Sequence, residues 1–198
     1  MKNVKIAFVF AIIIGSVSVS NAQSKMKSEG GIYLTASDFQ QQKLTYEIDC
    51  SNAGNKIKAN TFFGSSTGYV LSNGQKHAFD KKSVYGYRNC QNKTYRFYNG
   101  EAYLLIDTAG FYMYYEYKQE EQNKGKEPIK KDEYFFSSKA DGALQLLTIE
   151  NLKKAFPANN NFHYALDANF KSDKDLIAYD SFQKSYKVKY LYSQSLNK

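Results

Sequence analysis

The chain lacks tryptophan and has only two prolines, two cysteines and two histidines in 198 residues. Without tryptophan, the ring with the largest stacking surface for a sugar is missing, and tyrosine replaces it only in part. Cys50 and Cys90 lie far apart, and neither they nor His77 and His163 have the spacing of a zinc site. No glycine-rich phosphate loop is present. The composition therefore predicts neither a metal nor a cofactor.

Arginine is also scarce, although the chain is basic. Arg88 and Arg96 are the only arginines among 27 basic residues, and the net charge is +8. Nucleic-acid recognition relies on guanidinium groups that bind phosphate through two hydrogen bonds. We therefore expect no nucleic-acid partner, and we interpret the charge as a lysine-rich surface exposed to water.

Long hydrophobic runs are limited to one segment near the start. Lys2 and Lys5 precede the apolar run Ile6–Ile14, and the small residues of Ser20–Ala22 follow it. This order is typical of a secretory signal peptide cleaved before Gln23. The prediction is an exported protein, periplasmic or extracellular, which does not span the membrane after cleavage because no later run approaches about 20 apolar residues. We expect a monomer.

The two cysteines are predicted to form a disulfide. An oxidising compartment and an even cysteine count favour the bond, with two free thiols as the alternative. Cys50 follows the predicted strand 45–49, and Cys90 follows the predicted strand 84–88. If these strands are neighbours in a sheet, a Cys50–Cys90 bond cross-links the first half of that sheet.

Residues 44–147 have the pattern of antiparallel β-structure. Asn73-Gly74 and Asn99-Gly100 each separate two apolar, aromatic-rich segments. Asn-Gly tolerates the positive φ angles of a type I′ turn, which makes it a strong hairpin signal. Further turns are predicted at 107–110 and 141–142. The expected architecture is a β-meander, either open or curled towards a barrel.

The segment 111–117 is aromatic on both of its faces. A strand with one face in water alternates with polar residues, so this one is predicted to be central and covered on both sides. Tyr112 and Tyr114 share one face and are candidate binding residues, as an aromatic platform for sugar rings. Core packing is the favoured alternative. The charged segment 118–132 is predicted to be an exposed, mobile loop.

Helical patterns follow residue 147. Thr148 is a candidate N-cap for a helix that ends at Pro157, and Asn160 and Ser172 open two more. Residues 181–195 fit a helix or a strand, and we favour the helix. The apolar side chains expected to cover the central strand are Leu152, Phe156, Leu166 and Phe170.

The chain is thus predicted to be a single α+β domain over 23–198, which follows the signal peptide at 1–22. Its β-rich part spans 44–147 and its small helical part spans 148–195.

One motif suggests an enzyme. Gly64-Ser65-Ser66-Thr67-Gly68 matches the G-x-S-x-G pattern of hydrolases. In that fold a helix follows the serine, whereas here a strand and an Asn-Gly turn follow. Ser66, His77 and His163 are the only residues that a hydrolase could use. We therefore predict no catalytic residue and keep a small secreted hydrolase as the alternative function.

The segment 30–39 resembles the GIYLTxxDF opening of an uncharacterised family of small exported proteins of the Bacteroidota type. Tyr85-Gly86-Tyr87-Arg88 and the segment 147–152 are similar to the same family. The resemblance implies a single α+β domain and no particular activity.

The favoured function is a non-enzymatic binding or interaction protein of the cell envelope, with an unknown ligand or protein partner.

Overall fold

The structure is a computed structural model and describes residues 29–59, 65–120 and 129–196. The predicted signal peptide lies outside the described residues. The strands are β1 (Glu29–Tyr33), β2 (Thr45–Asp49), β3 (Lys56–Lys58), β4 (Thr67–Ser72), β5 (Gln75–Asp80), β6 (Gly86–Arg88), β7 (Thr94–Tyr98), β8 (Glu101–Asp107), β9 (Tyr112–Glu120), β10 (Ile129–Ser137), β11 (Gln145–Leu146), β12 (Tyr179–Asp180) and β13 (Ser185–Tyr186). The helices are α1 (Ala36–Gln40), α2 (Ile149–Ala155), α3 (Asn160–Asn169), a 3₁₀ helix (Asp173–Ile177) and α4 (Lys187–Leu196).

Eight strands form one antiparallel sheet in the order β11-β10-β9-β8-β7-β6-β1-β2. β3, β4 and β5 form a separate three-stranded sheet, and β12 and β13 form a short hairpin. The α+β class with C-terminal helices is confirmed. The large sheet does not close, since β11 and β2 are its two edges, so the barrel-like alternative is wrong.

The Asn-Gly hairpins form as predicted. Asn73 and Gly74 have φ angles of 50° and 83°, and Asn99 and Gly100 have 53° and 85°. Both central residues of each turn therefore have the positive φ that a type I′ turn requires. The turns join β4 to β5 and β7 to β8 in register.

β9 is a central strand, as predicted. It pairs with β8 on one side and with β10 on the other, and Phe111, Met113 and Tyr114 have no exposed surface. The predicted loop 118–132 is shorter than expected, because Ile129 still pairs with Glu120. Cross-strand hydrogen bonding extends both strands into the charged segment, and residues 121–128 lie outside the described residues.

The helix ends follow the capping residues. The hydroxyl of Thr148 accepts a hydrogen bond from the backbone N–H of Asn151, as predicted. The cap of α3 lies one residue before the predicted Asn160: the side-chain oxygen of Asn159 accepts a hydrogen bond from the N–H of Phe162. The segment that fitted either a helix or a strand forms α4 from Lys187 onward. Phe182, which we expected in this helix, lies instead in the turn between β12 and β13 and is 89% exposed.

Two different elements cover one face of the large sheet. At the helix-covered end, Phe111, Met113 and Phe136 pack against side chains of the C-terminal segment: Leu152, Phe162, Leu166, Phe170, Leu176 and Val188. At the strand-covered end, Ile32, Ile48, Tyr87 and Phe97 pack against Val70 and Phe79 of the three-stranded sheet. The predicted helical cover over β9 is confirmed.

The two covers lie on the same face of the sheet. Tyr95, which packs at the strand-covered end, is aligned through Leu104 with Tyr115. Strand alternation places Tyr115 on the face of Met113, which packs at the helix-covered end. The opposite face carries a smaller cluster of Tyr33, Phe39 and Ala140, to which α1 contributes Phe39.

The disulfide between Cys50 and Cys90 is confirmed, with a Cα–Cα distance of 5.4 Å. The strands that precede the two cysteines are not neighbours, however, because β1 lies between β2 and β6. Strands two positions apart are separated by about 9.5 Å. The segments that follow β2 and β6 approach each other beyond Glu29, the first residue of β1. The disulfide joins these two segments across that end of the strand.

Candidate functional site

The outer edge of β10 is covered along only part of its length. β9 pairs with β10 from Ile129 to Ser137, whereas β11 pairs only with Phe135 and Phe136. One more hydrogen bond runs from the N–H of Leu147 to the carbonyl of Tyr134. Among the described strands, none pairs with the outer edge of residues 129–133. Within the described part of the chain, this stretch of the sheet edge is open.

A cleft of about 380 Å³ lies beside this open edge, between β10–β11 and the 3₁₀ helix. We call it the edge cleft. Its lining includes the apolar side chains of Tyr134, Leu146, Leu147 and Ile177, with Leu146 exposed by 48%. The remaining lining residues are polar or charged: Asp132, Glu133, Thr148, Asp173 and Lys174. Strand alternation places Asp132 on the face of Tyr134 and Glu133 on the opposite face. Asp132 and Asp173 therefore set two carboxylates against the ammonium of Lys174 in a protein that is basic as a whole.

The carboxylates of Asp132 and Asp173 are both held in place by hydrogen bonds. Asp132 accepts one of 2.7 Å from the hydroxyl of Tyr115, and Asp173 accepts one of 2.8 Å from the backbone N–H of Ile149. Burial raises the pKa of Tyr134, and the charge of Asp132 raises it further. Both effects make the hydroxyl of Tyr134 harder to ionise than that of an exposed tyrosine. The acidic groups are positioned by the fold before any ligand binds.

The backbone of the open edge offers hydrogen bonds. The N–H and C=O of one residue in an antiparallel strand point to the same side, and the side alternates along the chain. The carbonyl of Tyr134 points towards β11. Asp132 and Lys130 therefore direct their backbone groups to that same outer side, beyond the last contact with β11.

The candidate binding residues Tyr112 and Tyr114 differ in exposure. Tyr114 is fully buried, and its hydroxyl lies 3.3 Å from Arg96 Nη1 and 3.3 Å from Ser137 Oγ. Tyr112 is half-buried at a polar cavity of about 490 Å³ and lies within hydrogen-bonding reach of Gln40. The binding role of the two tyrosines stays a prediction, and any direct contact with a ligand would rest on Tyr112.

Arg96 is a buried arginine that the sequence patterns do not reveal. It is 5% exposed, and its guanidinium carbon lies 5.4–5.7 Å from the ring centroids of Tyr85, Tyr98 and Tyr114. Nη2 donates a 2.8 Å hydrogen bond to the carbonyl of Gly142, while Nε has no partner among the described residues. This side chain ties the turn before β11 to the sheet. Only the alternation of Arg96 with Tyr95 and Phe97 hints at an inward position on the opposite face.

The three candidate hydrolase residues lie on three different elements. Ser66 is exposed and precedes β4, as the strand that follows it in the sequence suggests. His77 on β5 stacks on Tyr46 with ring centroids 4.4 Å apart. His163 on α3 places Nε2 3.0 Å from the carbonyl of Phe156. Each imidazole thus has a contact of its own, and neither of these contacts is with Ser66.

No protein-family model matches this chain, and neither a curated protein nor a solved structure matches it. Within residues 29–59, 65–120 and 129–196, no helix has the length and apolar character needed to cross a membrane. The same residues contain no group of three or more histidine, cysteine, aspartate or glutamate side chains that could hold a metal ion.

Proposed function

We propose that the mature protein is an exported, non-enzymatic binding protein of the cell envelope whose edge cleft binds an extended peptide segment of a partner. One observation carries this proposal: the open edge of β10 and the edge cleft occur at the same place, around Asp132–Tyr134. The Cys50–Cys90 disulfide supports export, since such bonds persist in oxidising compartments.

The peptide would add a strand to the sheet. Its backbone would continue the line of β11 and exchange hydrogen bonds with the outward N–H and C=O groups of Asp132 and Lys130. In this mode of recognition, the backbone bonds supply affinity and pockets for alternate side chains supply specificity. Every second side chain of the peptide would enter the edge cleft and contact Leu147 and Ile177.

The lining of the cleft defines the chemistry of the peptide. The apolar side chains favour a leucine- or valine-type residue as the anchor. The carboxylates of Asp132 and Asp173 favour lysine or arginine two positions away, where the side chain again points to the cleft. Charge complementarity of this kind mainly sets specificity and the association rate.

A labelled peptide, fluorescein-Lys-Val-Leu-Val-Lys, tests the proposal by fluorescence anisotropy with the full mature protein. We expect binding that weakens when salt is raised from about 50 to 500 mM, because the charge pairs are screened. An acidic peptide, with both lysines replaced by glutamate, should bind at least tenfold more weakly. If neither peptide binds at millimolar concentration, the proposal is wrong.

N-methylated peptides test the strand pairing without altering the protein. Methyl groups on one alternating set of amides block the bonds to β10, whereas those on the other set point away from it. One set should therefore weaken binding about tenfold or more, at roughly 1 kcal/mol for each hydrogen bond lost. Equal binding of both sets would show that side chains alone hold the peptide.

Matched variants locate the site. Leu146→Lys places a cation in the edge cleft and should weaken binding of the lysine peptide about tenfold. Leu34→Lys is the control, because Leu34 is exposed to a similar extent, 41% against 48%, and does not line the cleft. Equal affinities of the two variants would place the peptide elsewhere on the protein.

A further inference from the structure

The polar cavity beside Tyr112 is separate from the edge cleft. It measures about 490 Å³ and is bordered by α1, by the turn between β8 and β9, and by the turn between β10 and β11. We call it the Tyr112 cavity, after the half-buried tyrosine in its lining. Tyr112 packs in the Phe39 cluster on one face of the large sheet, whereas Tyr134 of the edge cleft packs on the other. The polar side chains of its lining are Ser37, Gln40, Thr108, Ser138, Lys139 and Asp141.

Buried polar groups hold the turn between β10 and β11 in place. Arg96 is 5% exposed, and its Nη2 donates a 2.8 Å hydrogen bond to the carbonyl of Gly142. The buried hydroxyl of Ser137 donates a 2.7 Å hydrogen bond to the carbonyl of Lys139. The backbone that carries Lys139 and Asp141 is thus fixed at two points, while both side chains remain exposed.

A second buried cation holds the turn between β8 and β9. Lys189 is 3% exposed, and its ammonium donates a 2.8 Å hydrogen bond to the carbonyl of Ala109, which follows the lining residue Thr108. Burying a charge costs free energy that hydrogen bonds must offset. Two such charges, Arg96 and Lys189, anchor two of the turns that border this one cavity.

The third wall of the cavity is α1, which is fixed by an aromatic contact. Phe39 is buried, and its ring stacks on that of Tyr85 with centroids 5.2 Å apart. The exposed neighbour Gln40 places its amide nitrogen 3.5 Å from the hydroxyl of Tyr112. All three walls are therefore held in position without a ligand, which lowers the entropy that a ligand must overcome on binding.

The side chains that line the cavity keep hydrogen-bonding groups for a ligand. Thr108, Ser138, Lys139 and Asp141 are exposed, and within the described residues these side chains make no hydrogen bond or ion pair. Hydroxyls both donate and accept, the ammonium donates and the carboxylate accepts. One ammonium and one carboxylate balance each other, so the lining favours a neutral molecule rich in hydroxyl groups over an ion.

We propose that the Tyr112 cavity binds a saccharide. The Tyr112 ring would pack against the C–H face of one sugar ring, while Asp141 and Lys139 hydrogen-bond its hydroxyls. The volume suits such a ligand, since sites for small molecules measure about 300–1,000 Å³. This site goes beyond the peptide binding proposed for the edge cleft, and either proposal stands without the other.

Saturation-transfer NMR with the mature protein tests the proposal, with maltose, cellobiose and N,N′-diacetylchitobiose as separate probes at millimolar concentration. We expect saturation to reach the C–H protons of at least one of them. Tyr112→Leu removes the ring but keeps an apolar side chain, and it should weaken binding about tenfold or more. Tyr164→Leu is its control, because Tyr164 is 73% exposed and does not line the cavity.

Asp141→Ala tests the cavity without disturbing the fold, since the carboxylate is exposed and has no contact of its own in the described chain. It should weaken binding about tenfold or more, as expected for a lost hydrogen bond to a charged group. Asp167→Ala is its control, because Asp167 is an exposed acid on α3 outside the cavity. Loss in Asp141→Ala with both controls unchanged supports the proposal even if Tyr112→Leu does not fold.

Three results would overturn the proposal. The first is an absence of saturation transfer to all three probes. The second is equal affinity of Asp141→Ala and Asp167→Ala for the saccharide. The third is displacement of the saccharide by the lysine peptide of the edge cleft, which would place both ligands in one site.

Discussion

The helix-covered end and the strand-covered end of the large sheet are stabilised in different ways. At the first, four helical segments bring large side chains such as Phe162, Leu166 and Leu176 onto β9 and β10. At the second, a sheet of three short strands brings mainly Val70 and Phe79. The disulfide is found at the strand-covered end, where Cys50 packs against the cluster. The comparison teaches that the covalent cross-link lies at the end of the large sheet that has the smaller apolar cover.

Removing the helical cover should have the largest effect. A chain that ends at Leu147 would expose Phe111, Met113 and Phe136, a contiguous apolar surface at β9 and β10. We expect this protein to aggregate, because such surfaces associate. Soluble yield and size-exclusion chromatography measure it, with a chain that ends at Leu196 as the control. A soluble monomer would show that the sheet does not need the helices.

Removing the disulfide should weaken the strand-covered end by about 4 kcal/mol, from the entropy of closing a loop of roughly 40 residues. The comparison is urea unfolding of the wild type and of the double variant Cys50→Ala, Cys90→Ala. Reductant should destabilise the wild type and leave the variant unchanged. A loss below about 1 kcal/mol would mean that the strand cover is sufficient without the bond.

Phe156→Ala tests the helix-covered end at a single side chain. The ring of Phe156 lies 5.7 Å from that of Phe111, 5.9 Å from that of Phe162 and 4.7 Å from that of Tyr192, measured between centroids. Truncation should cost about 3 kcal/mol of unfolding free energy. The matched control is Phe182→Ala, since Phe182 is 89% exposed and should change stability by less than about 0.5 kcal/mol. Equal effects would contradict the packing shown by the structure.

Lys189 makes the helix-covered end sensitive to pH. Its ammonium contacts the carbonyls of Ala109 and Phe111, and Asp107 lies 3.3 Å away. Burial lowers its pKa from 10.5 to about 8, against the opposing effect of Asp107. Between these values the unfolded chain binds more protons than the folded one, so stability rises with pH.

This rise should amount to about 2 kcal/mol from pH 7 to 9.5. Urea unfolding at both pH values measures it, with Lys189→Met as the comparison that lacks the titrating group. Burial raises the pKa of the neighbouring Tyr192 and Tyr186, so the unfolded chain loses these protons first and the tyrosines oppose the rise at the upper end of this window. The opposing effect is shared by the wild type and Lys189→Met, so the difference between the two proteins isolates the lysine. If Lys189→Met shows the same rise, another group is responsible.

Local features of the fold follow from local sequence signals. Asn99-Gly100 turns because both residues tolerate positive φ, and α2 begins after Thr148 because its hydroxyl satisfies an N–H that the helix leaves unpaired. The disulfide follows from the cysteine count and the predicted signal peptide. These signals act over two to four residues, or depend on composition alone, and so they are visible without a structure.

The candidate sites were predicted less well. Tyr112 and Tyr114 stand out in the sequence. Tyr114 is buried, however, with its hydroxyl beside Arg96, and of these two tyrosines only Tyr112 borders a cavity. The edge cleft does not follow from a motif, because it brings together residues from segments far apart in the chain, such as Asp132 with Asp173.

The sequence by itself determined the turns, the helix caps, the class of fold and the pairing of the two cysteines, because each depends on neighbouring residues or on counts. Only the tertiary structure decided that β1 lies between β2 and β6, and that β11 is too short to cover β10. Strand order depends on which apolar faces pack together between segments that are far apart in the chain. No local sequence pattern of these strands predicts that order. The open edge of β10 beside the edge cleft is a consequence of this arrangement.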